Sequence, residues 1–250
     1  MLKAGVNQYI RSIELIRNDD IKEQYPFSLK AIGELEKLDM HPNVTFIVGE
    51  NGSGKSTLLE AIAIAYGFNL EGGSKNFNFS TTNTHSVLHK YIRIIKGSKK
   101  AQDGYFFRAE SFYNVASNIE ELDKESSGGV SIFDSYGGRS LHEQSHGESF
   151  ISLLMNRFGG NGLYILDEPE AALSPTTQMM LVSRIHKLVQ NDSQFIIATH
   201  SPIIMSYPNA TIYCIDNNYL RVKYEDTEHY QVMKNFLNNT EHMLNILMKN

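Results

Sequence analysis

Nine consecutive residues, Gly49-Glu50-Asn51-Gly52-Ser53-Gly54-Lys55-Ser56-Thr57, have the composition and spacing of a phosphate-binding loop. The glycines let the backbone curl until successive N–H groups point into one concavity, a nest for an anion. A helix starting near Lys55 adds its N-terminal dipole at the same place. Lys55 is then set to reach β- and γ-phosphates, the Ser56 hydroxyl to ligate Mg²⁺, and Thr57 to touch an α-phosphate. The bland alternative is a glycine turn that happens to precede a helix. Average composition gives a chance match in about one chain in a hundred of this length. Farther along, Leu163-Tyr164-Ile165-Leu166-Asp167-Glu168-Pro169-Glu170 puts carboxylates just past an apolar run. Asp167 suits Mg²⁺ held through water, and Glu168 suits a general base that polarises an attacking water. Ala198-Thr199-His200-Ser201-Pro202 ends a third apolar run, and His200 there can sense a γ-phosphate by hydrogen bonding. A lone strand-end histidine is more often structural, so this reading leans on its neighbours.

Each of these sites needs a strand that ends where the chemistry begins. Val44–Val48 is β-branched and apolar, the pattern of a strand buried on both faces, and it runs straight into the glycine loop. A helical stretch through Leu58, Leu59, Ile62 and Tyr66 follows, with Gly67 as its stop. Further strands are expected at Tyr9 to Ile16, Tyr91 to Ile95, Tyr105 to Phe107, Leu163 to Leu166, Phe195 to Ala198 and Thr211 to Ile215. Phe150 to Phe158, and Leu181, Val182, Ile185, Leu188 and Val189, have helical spacing. Short apolar strands alternating with helices specify an α/β fold. The expected architecture is a mostly parallel sheet flanked by helices, an N-terminal antiparallel β region and a small inserted lobe at about residues 111–160, all in one domain over residues 1–250. In an open α/β sheet ligands collect at the carboxyl ends of the strands, where all three sites fall. Val232, Met233 and Phe236, then Met243, Leu244 and Leu247, predict one or two closing helices with an apolar face read as core.

Composition narrows the class. The chain has 250 residues and 28.3 kDa, is 41% hydrophobic and 20% charged, and carries a net charge of −5. Such a chain supports its own core without a metal or disulfide staple. Cys214 is the single cysteine, which excludes an internal disulfide and fits a reducing compartment. No apolar run approaches the ~18 residues of a membrane span, and MLKAGVNQYIRS lacks the apolar core of a signal peptide. The expectation is a cytoplasmic protein without membrane insertion. A pI near 6.0 supplies no global field for nucleic acid, so such contact needs a local patch.

Together the three sites resemble the ATP-binding-cassette type of P-loop ATPase. Ser145-His146-Gly147-Glu148 looks like that family's signature motif, with His146 in place of its first glycine and Glu148 in place of its glutamine. Glu170-Ala171-Ala172-Leu173-Ser174 sits where the D-loop lies, and His200 matches the switch histidine. The loop and acid motifs are closer to SMC, RecF and overcoming-lysogenisation ATPases than to transporter subunits, and closest to short stand-alone bacterial predicted ATPases. The resemblance implies ATP and Mg²⁺, with Glu50, Asn51, Gly52, Ser53, Gly54, Lys55, Ser56 and Thr57 on the nucleotide. It implies a head-to-tail homodimer in which Ser145 and Gly147 of one copy meet the nucleotide of the other. Its output would pass to a protein effector or to DNA, in DNA maintenance or defence against foreign DNA. The alternative is the ATPase subunit of a membrane transporter. The family's glutamine after the strand at Tyr105 to Phe107 is absent, and Glu110 is the nearest candidate for its place at the metal. Tyr25 and Phe27 are candidates to stack adenine, with core packing the commoner fate of either.

Two competing signals remain. His142-Glu143-Gln144-Ser145-His146 matches the zinc pattern H-E-x-x-H, but glycines at 137, 138 and 147 weaken the helix that pattern needs. Lys90, Arg93, Lys96, Lys99 and Lys100 form a basic run, read either as a solvated hairpin or as a phosphate-backbone contact.

Overall fold

The chain lays its short apolar runs into two sheets. The computed structural model describes residues 8–17, 19–74, 86–111, 117 and 146–249. β1 (Ile10–Leu15), β2 (Lys37–Asp39) and β4 (Ile92–Lys96) form an antiparallel sheet in the order β2-β1-β4. β3 (Val44–Val48), β5 (Asp103–Arg108), β6 (Gly162–Asp167), β7 (Gln194–Ala198), β8 (Thr211–Cys214) and β9 (Leu220–Val222) form the second, in the order β5-β6-β7-β3-β8-β9. Its first five strands run parallel, and β9 folds back antiparallel on β8.

Both faces of the larger sheet are covered, which is why its strands read as unbroken apolar runs. Phe46, Tyr164, Leu166 and Phe195 point to a face packed by α3 (His146–Asn156), α4 (Pro175–Gln190) and α5 (Pro202–Met205). Ile47, Leu163, Ile165 and Ile196 point to the other, packed by α2 (Lys55–Tyr66), α1 (Lys30–Gly33) and the antiparallel sheet. Phe158 stacks on Tyr164 with ring centroids 4.3 Å apart, and Phe107 meets Phe150 at 4.2 Å. Phe150, Leu153 and Leu154 of α3 therefore belong to the main core, while most of the span expected as an inserted lobe lies outside the described residues.

The strands expected from sequence are present. β2 and β9, three residues each, carry too short an alternation to be read from sequence. The tail forms α6 (Glu228–Asn238) and α7 (Thr240–Leu247), but its apolar face is not core: Val232 is 57% exposed and Met233 49%. Periodicity marks an amphipathic face without saying what covers it.

The two sheets are joined by a buried amide. Gln194, fully buried, accepts the backbone N–H of Tyr9 (3.0 Å) and of Ile10 (2.9 Å) on Oε1 and donates from Nε2 to the carbonyls of Ile10 (2.8 Å) and His41 (2.9 Å). The side chain thus satisfies four backbone groups that have no water to turn to. Gln194→Leu, close in volume but unable to bond, is expected to destabilise the fold by roughly 3–5 kcal/mol, read from urea unfolding. A loss below about 1 kcal/mol would show that the weld is dispensable.

Candidate functional site

One cross-sheet row sets the site. Arg108 pairs with Asp167, Asp167 with Ala198, Ala198 with Ile47 and Ile47 with Tyr213, so five adjacent strands reach their carboxyl ends at one level. The turns beyond that row carry the glycine loop, the acids and His200.

The loop after β3 follows its glycines. Gly52 (φ 79°) and Gly54 (φ 103°) are left-handed, a region that side chains with a Cβ rarely enter. Gly54 caps α2 without a side-chain bond, so the first amides of that helix are left for an anion. Gly49 is needed for a different reason: a Cβ there would lie 2.3 Å from Ile215 Cγ2 and 2.7 Å from Asp216 Oδ2. That close approach lets Asp216 accept the Glu50 N–H at 2.8 Å and brace the loop's entrance. Lys55 folds back under the loop, and its Nζ donates to the carbonyls of Gly49 (2.9 Å) and Glu50 (2.7 Å). Burial pulls its pKa below the usual lysine value, against the attraction of Glu168, Asp216, Asp167 and Glu170.

The acids face it from β6. Ser56 Oγ donates to Asp167 Oδ1 at 3.0 Å, joining the loop's hydroxyl to the strand-end carboxylate. Asp167 is 5% exposed. Burial pushes its pKa up to about 7, although Arg108 and the Ser56 hydroxyl both favour the anion. Arg108 Nη1 is held by Glu60 of α2 at 2.8 Å, and its Nε lies 4.0 Å from Asp167 Oδ2. Glu168 sits in the left-handed region (φ 49°, ψ 54°), unusual for a residue with a side chain, and its N–H is tied to the Ala198 carbonyl at 3.0 Å. That conformation turns its carboxylate, 40% exposed, to within 3.4 Å of His200 Nε2.

Glu170 accepts the backbone N–H of His200, and burial raises its pKa. The His200 imidazole meets His229 of α6, Nδ1 to Nε2 at 2.8 Å. Burial lowers the pKa of both rings, and Lys55 and the opposing imidazole lower that of His200 further, so both are neutral at pH 7. A cavity of about 730 Å³ opens beside the loop between Glu50, Asn51, His200, His229, Val232 and Met233.

Lys55, Ser56, Asp167, Glu168 and His200 thus come together as their spacing predicts. Glu110 does not join them: its side chain is 85% exposed and lies 3.5 Å from Arg108 Nη2. Of the two aromatics, Phe27 is buried against Tyr91, whereas Tyr25 is 64% exposed with its hydroxyl 3.4 Å from Thr57 Oγ1. Gly147 lies in α3 and lines a separate cavity of about 390 Å³ with Glu148, Ile151, Met155, Thr177 and Met180; among the described residues it shares none with the one at the loop. Ser145 and, apart from His146, the H-E-x-x-H run lie outside the described residues. Ser174, at the D-loop position, caps α4 by accepting the Thr177 N–H. In the basic run, Arg93 faces Glu14 at 3.9 Å, Lys99 faces Asp192 at 3.8 Å, and Lys96 lies over the Tyr66 ring. Sequence reasoning missed Arg108, Asp216 and His229. Arg108 was reachable, as the last residue of the strand before Glu110. Asp216 sits after β8 and His229 in the tail, and no local pattern ties either to the loop.

Comparison with known proteins identifies the family and the fold. The RecF/RecN/SMC N terminal domain family model matches residues 27–218. Phosphate import ATP-binding protein PstB 1 of Streptococcus agalactiae is 24% identical over 235 residues, covering 80% of this chain and 90% of that protein. ABC transporter G family member STR2 of Medicago truncatula is 27% identical over 175 residues, 64% of this chain; the matched region is about a quarter of the transporter's length. Among solved structures, cbiO1 from Clostridium perfringens, part of the ABC transporter complex cbiONQ, superposes with a TM-score of 0.50 at 17% identity, covering 95% of this chain and 99% of that one. The fold is therefore that of the ABC-type ATP-binding proteins, and the chain belongs to the RecF/RecN/SMC N-terminal domain family.

Proposed function

We propose that the chain hydrolyses ATP with Mg²⁺ in a head-to-tail homodimer that opens and closes with the nucleotide. The observation that carries this reading is the Ser56–Asp167 hydrogen bond beside Glu168 and His200. Two hard oxygen donors, one a buried carboxylate whose anion is costly, fit a small divalent cation with several waters. Bound there, Mg²⁺ would neutralise charge on the β- and γ-phosphates. The free amides at the start of α2 take the phosphate oxygens, and Lys55 exchanges its loop carbonyls for them. Glu168 accepts the proton of the water that attacks the γ-phosphorus, while the bond to the bridging oxygen of ADP breaks. His200 donates to the γ-phosphate. Tyr25 stacks the adenine from its place beside Thr57. Ser145 and Gly147 of a second copy complete the site, consistent with Gly147 lining a different cavity in its own chain.

The switch acts on a protein effector or on DNA in the cytoplasm. A second reading, the ATPase subunit of a membrane transporter, is favoured by the coverage of PstB 1. Among the described residues no helix is long and apolar enough to cross a membrane. Co-purification with membranes would select this second reading.

Wild type is expected to turn over ATP, and Glu168→Gln to lose at least about 100-fold in kcat while light scattering shows an ATP-dependent dimer. A mutant that stays monomeric with Mg-ATP rules out the sandwich. Tyr25→Ala is expected to weaken ATP about tenfold with kcat retained, the usual worth of one stacked base, measured by titration calorimetry. Without metal or nucleotide, Asp167→Asn should be more stable than wild type at pH 8. Asp167 is raised from 3.8 to about 7 in the fold, so its stabilising contribution is present below 3.8 and is lost as pH rises through about 7. The melting-temperature gap should be roughly 10 °C at pH 8 and shrink toward pH 5. A gap that does not change with pH contradicts the assignment.

A further inference from the structure

The site contains one imidazole more than its chemistry as described uses. His229 comes from α6, a helix with no fully buried residue, and its Nε2 lies 2.8 Å from His200 Nδ1, with the rings 4.8 Å apart and tilted by 58°. On its other side His200 presents Nε2 to Glu168 Oε1 at 3.4 Å. Two neutral imidazoles at 2.8 Å share one proton, and there are two ways to place it. If His200 holds it on Nδ1, its Nε2 carries a bare lone pair facing a carboxylate oxygen. That arrangement is repulsive. If His229 donates from Nε2, His200 is protonated on Nε2; that nitrogen is buried and makes no hydrogen bond in the nucleotide-free site, so its N–H has the Glu168 carboxylate 3.4 Å away and is left to donate to an incoming γ-phosphate. The groups facing the pair agree with the second arrangement. Lys55 disfavours any added proton, Glu168 rewards an N–H directed toward it, and Glu170 engages only the His200 backbone.

We infer that His229 is a positioning residue that sets the tautomer of His200, fixing its donor N–H at Nε2. The inference rests on the reading of His200 as the γ-phosphate donor. It follows that the tail helix is wired to the nucleotide site through a single N–H···N bond. A neighbour that fixes which nitrogen of a working imidazole carries the proton is typically worth 10- to 100-fold in function.

The test compares wild type with His229→Leu, His229→Gln, His200→Ala and the double variant His200→Ala/His229→Leu. Melting temperatures confirm that each is folded. His229→Leu is expected to lower kcat for ATP about tenfold with KM changed less than twofold. His229→Gln, whose amide N–H can stand where Nε2 stood, is expected to recover kcat to within about threefold of wild type. The double variant should be no slower than His200→Ala alone, because the two side chains act as one unit. The second readout needs no turnover. In protein labelled with ¹⁵N-histidine, the imidazole spectrum of the nucleotide-free wild type should show His200 protonated on Nε2, and His229→Leu should mix or reverse that tautomer. A wild-type spectrum with the proton on Nδ1 overturns the inference, as does a His229→Leu variant with unchanged kcat or effects that multiply in the double variant. If wild type does not hydrolyse ATP, the proposed function fails, and the ¹⁵N spectrum alone decides whether His229 sets the His200 tautomer.

Discussion

The hydrogen bonds that hold β5, β6, β7 and β3 in one parallel register bring the glycine loop, Asp167, Glu168 and His200 to one end of the sheet. Ala198 is level with Asp167 on one side and Ile47 on the other, so the turns after three strands leave the sheet together. A shift of one residue in any pair would send its strand-end side chain to the opposite face of the sheet. Both faces are packed with large apolar side chains, and such a slip would put each of them in the wrong core. The geometry of the site is thus enforced by several kilocalories of packing remote from it, and the left-handed turn at Glu168 is held by the same ladder through its bond to Ala198.

Within that frame three charged groups of the resting site have partners from the chain itself. Lys55 rests on the loop's carbonyls, Asp167 on the Ser56 hydroxyl, and Arg108 on Glu60. Arg108 gives the departure from the usual glutamine a physical form: at the same strand end the chain carries a tethered cation, and the carboxylate of Glu110 stays outside.

How far the sequence could be read follows from where the information lies. The glycine loop, the Asp167-Glu168 pair and the His200 turn are contiguous, each announced by an apolar strand, and their residues meet as expected. Gln194 reads as one more polar residue at the start of a strand, yet it closes the seam between two sheets because its partners, Tyr9, Ile10 and His41, lie more than 150 residues away in the chain. Asp216 was illegible for the same reason, 166 residues from Glu50; His229 is only 29 residues from His200, but no local pattern ties its helix to that turn. The tail misled in another way: its helical period was correct, but Val232 and Met233 border the cavity beside the loop instead of filling a core. Tyr25, one residue from a proline and two from Phe27, lies outside the core that takes Phe27.

The ends of the larger sheet carry a last consequence. On one side β9, three residues long and antiparallel, covers the free edge of β8. On the other, Gly73 exchanges both backbone hydrogen bonds with Phe106 and occupies the outer rim of β5. A covered edge offers another chain less to pair with. Among the described residues that cover is light, a three-residue strand at β8 and a single bridge at β5. The same strand order puts these strands at the flanks and β6, β7 and β3, whose ends carry the acids, His200 and the glycine loop, side by side in the middle.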